Sequence, residues 1–140
     1  MAQSLTHAVV GERDAAYLRY RFLDHPVIKY TVLLVRQRWA MRPWGIVVLR
    51  DHGPWMELVD VVAPVQRMPA LIGAARRFAG NTGKAELRGW ITEEFTSTLR
   101  SPDTKLTATD ITVPLGGIAS TPARRSQGRW FLTAGDTDFR

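Results

Sequence analysis

The sequence predicts a single α/β (α+β) domain over residues 1–140, with a mixed, mostly antiparallel central sheet and helices on both faces. Three observations predict it. Residues 30–62 alternate strand-forming runs with turn residues, the pattern of a three-strand meander. The period then changes to helical at Pro69 and returns to strand at Lys84, so that the helix makes a parallel crossover. Finally, Leu58, Val59, Val61 and Val62 leave the strand between Trp55 and Val62 without a polar face, as expected for a central strand covered on both sides.

The elements follow in order. Residues 1–10 carry no strand or helix period and are read as a lead-in. Glu12 to Asp24 is predicted as a helix, with Ala15, Leu18 and Phe22 on its buried stripe and Glu12 and Asp14 in its first turn. His25-Pro26 ends it, because the residue before proline is pushed out of the helical region. Tyr30 to Gln37 and Trp44 to Arg50 are the first two strands of the meander. Asp51-His52-Gly53-Pro54 turns the chain into the third, Trp55 to Val62. Pro69 suits a helix start, and Leu71, Ala74, Ala75 and Phe78 form the stripe of that helix. Gly80 to Gly83 closes it, and Lys84 to Trp90 is a short strand. Thr92 is placed to cap a short helix carrying Phe95 and Leu99. Leu106 to Leu115 and Arg129 to Thr133 are read as the last two strands, separated by a loop from Gly116 to Gly128.

Composition narrows the chemistry. The 140 residues contain no cysteine, which excludes disulfides, thiol nucleophiles and thiolate metal sites. Apolar runs such as Val32 to Val35 stop at four residues, far below the roughly 20 of a membrane-spanning helix. Met1 to His7 lacks the basic start and apolar centre of a signal peptide, so a cytoplasmic location and no membrane are expected. Nineteen basic against thirteen acidic side chains give a formal charge of +6, and no run of like charges concentrates it. Such a surface suits polyanions in general. The five tryptophans fall mostly on strands, and no nucleic-acid module is present, which argues against nucleic acid as a partner. His7, His25 and His52 are scattered and have no carboxylates at metal-ligand spacing, so no metal is expected.

The order of elements is the one found in the GNAT superfamily of acyl-coenzyme A-dependent N-acyltransferases. Two stretches sharpen the likeness. Tyr17-Leu18-Arg19-Tyr20-Arg21-Phe22, followed by His25-Pro26 and Tyr30, resembles the opening helix of a GNAT subset. Trp130 to Asp138, ending Gly135-Asp136-Thr137-Asp138, resembles the close of that subset's last strand. In that subset the pattern forms the C-terminal half of a two-lobed chain. The resemblance therefore implies a second lobe, with a homodimer or a partner GNAT lobe beside it.

As an enzyme, such a lobe would take acetyl-CoA as co-substrate and a small amine as acceptor. GNAT enzymes hold the coenzyme pyrophosphate on backbone N–H groups after their fourth strand. The resemblance carries this to Val61, Val62, Gln66, Arg67 and Ala70. Neither Gln66 nor Arg67 is followed by the glycines of the family pattern, and Pro69 removes one N–H donor. The general base of the family lies on the fourth strand, where this chain has Glu57 and Asp60. Strand alternation points them to opposite faces, and apolar neighbours would raise a carboxyl pKa there. Alternatively one is a strand-edge charge and the other pairs with an arginine. After the fifth strand, Ile91 to Leu99 offers no tyrosine as an acid for the departing thiolate. Asp136 and Asp138 are expected to pair with arginines such as Arg21 or Arg129. Two functions follow from these residues: an acyl-CoA-dependent N-acyltransferase, or a catalytically inactive GNAT-like lobe acting as a binding or dimerisation module.

Overall fold

The computed structural model describes residues 9–109 and 130–136. The fold is mixed α+β, with a mostly antiparallel sheet in the order β2-β3-β4-β5 and helices on both of its faces. Strands β2 (Tyr30–Val35), β3 (Gly45–Asp51) and β4 (Trp55–Val62) form the expected antiparallel meander. Helix α2 (Met68–Asn81) crosses over, and β5 (Glu86–Gly89) returns parallel to β4. A second, two-stranded sheet pairs β1 (Val9–Val10) in parallel with β6 (Trp130–Phe131). The N-terminal lead-in thus contains a strand, one too short to show a period. Among the described residues, no helix is long and apolar enough to cross a membrane.

Alternation along β3 divides the core. Val47 and Leu49 join Met56, Leu58, Val61, Met68, Leu71, Ala75 and Phe131 on the α2 side. Val48 meets Val59, Leu18 and Phe22 on the other. Strand β4 is central and contributes to both layers, as its sequence predicts. The layer behind β3 is closed by α1 (Ala15–Leu18), which continues as a single π-helical turn over Arg19–Leu23. This helix is shorter than the expected span. Asp14 caps it by accepting the N–H of Tyr17 at 2.7 Å, so Glu12 and Arg13 stay outside, and Ala15 is exposed rather than buried. Leu18 and Phe22 are the buried pair. Phe22 also makes edge-to-face contacts with Tyr17 and Tyr30, at ring-centroid distances of 5.7 and 5.2 Å.

Two further expectations change. Thr92 precedes a 3-10 turn (Glu93–Phe95) and α3 (Thr96–Leu99), yet its side chain makes no cap. The hydroxyl donates instead to the carbonyl of Trp130, tying the start of that turn to β6. Leu106 to Thr109 forms no strand, and the remainder of that expected strand, with the loop 116–128, lies outside the described residues. Beyond Gly89 the chain turns away from β4. A Cβ on Gly89 would stand 3.0 Å from the Leu58 Cβ and 3.1 Å from its carbonyl oxygen, so glycine permits this last close pairing. The second half of β4 has no β5 partner.

Replacing Phe22 with Ala empties the centre of the layer behind β3. A loss of about 3–5 kcal/mol is expected in denaturant unfolding. A loss below about 1 kcal/mol would mean that Leu18 alone holds α1 on the sheet.

Candidate functional site

The two carboxylates of β4 belong to one face of the sheet, not to opposite ones. The β3–β4 register pairs Arg50 with Glu57 and Leu49 with Leu58, then skips to Val48 with Asp60. Val59 is the extra residue of a β-bulge. Glu57 and Asp60 therefore stand opposite Arg50 and Val48, two alternate positions of a single face. One inserted residue reverses the result of simple alternation.

Asp60 is fully buried, at 0% exposure, and surrounded by donors. Arg13 Nε donates to both carboxylate oxygens, at 3.0 and 3.2 Å. Thr133 Oγ1 donates to Oδ1 at 2.9 Å, and the N–H of Val61 reaches the same oxygen at 2.8 Å. The Tyr17 hydroxyl lies 3.4 Å from Oδ2 and equally far from the carbonyl oxygen of Gly135. The other end of Arg13 is taken by Asp136, whose carboxylate also accepts the Thr133 N–H at 2.8 Å. Arg21 Nε donates to the Gly135 carbonyl at 3.2 Å. Glycine is needed at 135 because a Cβ there would sit 3.0 Å from that of Asp60.

The electrostatics follow from two carboxylates sharing one guanidinium away from water. Burial pushes the Asp60 carboxyl above its usual value of 3.8, Arg13 opposes this, and Asp136 adds to it. The flanking carboxylates hold Arg13 above its usual value against its own desolvation, which keeps it cationic. Burial, with the same two carboxylates, pushes the Tyr17 phenol up, so it stays a donor. Asp60 is saturated by protein groups and has no surface on which to meet a substrate. The arrangement is a structural clamp joining the segment before α1, the bulge of β4 and the segment Thr133–Asp136. The sequence anticipates an arginine for one of Glu57 and Asp60, and an arginine such as Arg21 or Arg129 for Asp136; the shared partner of Asp60 and Asp136 is Arg13. Arg129 and Asp138 lie outside the described residues.

Glu57 sits at the other end of β4 in a separate group. His52 Nε2 is 3.0 Å from its Oε2, and the imidazole stacks on Trp55 with ring centroids 4.1 Å apart and 2° between planes. Arg88 covers Trp55, 4.7 Å from the ring centre. The Glu57 side chain retains 15% exposure, which makes it the accessible carboxylate of β4. Sequence reasoning missed the His52 partnership. The signal available was the tight turn Asp51 to Pro54, which must fold residue 52 back over the start of the next strand.

The expected coenzyme loop is divided in character. Val61 is buried against Met68 and Leu71, and Val62 is partly buried. Val65–Arg67 forms a 3-10 turn leading into α2, with Pro69 in the first turn of that helix. Gln66, Arg67 and Ala70 are exposed, and the Arg67 guanidinium lies over Trp44, 5.2 Å from the ring centre. Among the described residues, no group of three or more histidines and carboxylates is placed to hold a metal. No protein-family model, curated protein or solved structure matches this chain.

Removing Arg13 leaves the buried Asp60 carboxylate without its cation, beside the partly buried Asp136. Arg13→Met is expected to cost about 3–5 kcal/mol in chemical denaturation, and adding Asp60→Leu should recover part of that loss. A raised pKa for Asp60 means that the folded chain holds this proton more tightly than the unfolded one. Stability from this group is full below 3.8 and falls as pH rises through its folded pKa. Unfolding midpoints measured across that window should decline with pH, and Asp60→Asn should flatten the decline.

Proposed function

We propose that the chain is a GNAT-like lobe that binds a partner and does not catalyse acyl transfer. One observation carries this reading: Asp60 is consumed by Arg13, Thr133 and the Val61 N–H, and the segment Thr133–Asp136 packs against the half of β4 that β5 leaves free. In an acyltransferase of the expected kind, that part of the strand would face the co-substrate. The absence of the family's glycines from Gln66 to Ala70, with Pro69 among them, supports the same reading.

A second reading, acyl-CoA-dependent transfer to an amine, is favoured by the parting of β4 and β5 after the Leu58–Gly89 pair. Glu57 would then be the base, with His52 as its proton partner, while Gln66, Arg67 and the N-terminus of α2 would receive the pyrophosphate. Calorimetric titration with acetyl-CoA separates the two. The binding lobe should show no saturable heat at millimolar ligand. Saturable micromolar binding would overturn it, and Arg67→Ala should then weaken that binding by about 1–3 kcal/mol.

A further inference from the structure

We infer that the edge of β2 left open among the described residues is a docking site for an extended segment of another protein, apolar in its middle and acidic at both ends. The inference rests on the binding-lobe reading and names its partner's chemistry.

Strand β2 is the outer strand of the four-stranded sheet, and among the described residues β3 is its one strand neighbour. Alternate residues of an outer strand direct N–H and C=O groups away from the sheet. Monomeric proteins blunt such edges with charged side chains, proline, bulges or very short strands. Tyr30-Thr31-Val32-Leu33-Leu34-Val35 has none of these: six residues in unbroken register with β3, without a charge, a proline or a glycine. The other edge of the sheet differs, since β5 carries Glu86 and Arg88 over four residues.

Exposed apolar side chains accompany this strand in the sequence. Of the seven large hydrophobics exposed among the described residues, six fall between Tyr20 and Met41, the stretch that contains β2. Leu34 is on β2 itself at 63% exposure, and Trp39 and Met41 are in the loop after it at 87% and 94%. Tyr20 and Leu23 belong to the π-helical turn that packs on β2, and Val27 lies on the approach to it. Scattered exposed hydrophobics need no explanation, but Leu34 on the strand, with Trp39 and Met41 directly after it, gives this edge an apolar surface to present.

Charge selects the occupant. From Ile28 to Arg50 the chain has Lys29, Arg36, Arg38, Arg42 and Arg50 and no acidic residue. Lys29 and Arg36 are exposed and immediately flank β2. A second copy pairing antiparallel about the centre of the strand would set Lys29 against Arg36, like against like, twice. A strand with acidic ends would instead gain both contacts while adding its backbone to the edge.

The probe is a fluorescein-labelled peptide of alternating valine and threonine with two glutamates at each end. Its control is the same peptide with lysines at the ends. Anisotropy titration of the intact protein should show saturable binding of the acidic peptide, roughly tenfold tighter than the lysine peptide and weakened by salt. The double reversal Lys29→Glu/Arg36→Glu lies on exposed positions and should invert that preference. Leu34→Lys, a charge of the kind that protects natural edges, should abolish binding of either peptide, with an unchanged circular dichroism spectrum showing that the fold survives. Binding of neither peptide, equal binding of both, or sedimentation as a dimer that Leu34→Lys dissociates would each overturn the inference. Failure here is distinct from failure of the binding-lobe reading, which only saturable acetyl-CoA binding would produce.

Discussion

The ion pair between Arg13 and Asp60 is the constraint on which the rest of the molecule depends. A carboxylate with no exposure and a guanidinium whose side chain retains 3% can persist only while each keeps the other and every remaining lone pair is met. That requirement recruits Thr133 and Asp136, Val61 and Tyr17 from three parts of the chain. The shortness of α1 has the same origin. Its cap falls at Asp14 so that Arg13 remains outside the helix and free to turn inward. Hydrophobic burial supplies most of the driving force in both layers, but it is indifferent to register. The polar clamp fixes where α1 and the segment Thr133–Asp136 must lie relative to β4.

Strand β4 then works as two halves. Its first half, Trp55 to Leu58, pairs with β5 and carries Glu57 in a mixed environment of imidazole, indole and guanidinium. The second half lies past the bulge, pairs among the described residues with β3 alone, and has its polar group turned into the clamp. Chemistry that needs an accessible carboxylate is thereby confined to the first half, and rigidity to the second. The binding edge inferred at β2 is on the far side of β3 from both. A partner docked there would extend the sheet without disturbing either half.

Much of the architecture was legible in the sequence, because long periodic segments report their own burial. The predicted span Trp55 to Val62 is that of β4, and the turn before it and the proline-led start of α2 follow from local stereochemistry. The strand read at Arg129 to Thr133 is present as Trp130–Phe131, but its partner β1, two residues long, is too short for a period to exist. The π-helical turn after α1 keeps Leu18 and Phe22 inward, so an ordinary helix fits the same pattern. The bulge was invisible for a different reason. An extra residue changes neither composition nor hydrophobicity within Leu58-Val59-Asp60, yet it decides which face Asp60 serves. The partners of Asp60 were hidden by distance, since Arg13 and Thr133 are 47 and 73 residues away along the chain.

Those separations also set an order of assembly. During synthesis the meander and Arg13 emerge early, and the Arg13–Asp60 pair can form once β4 has left the ribosome. Thr133 and Asp136 arrive only after α2, β5 and α3, so one end of Arg13 and one oxygen of Asp60 must wait on water or on each other. Phe131, buried at the heart of the α2 layer, arrives with them. Until that segment emerges, the α2 layer of the nascent chain lacks Phe131 and the clamp lacks Thr133 and Asp136. Sealing both the core and the clamp falls to a single late segment.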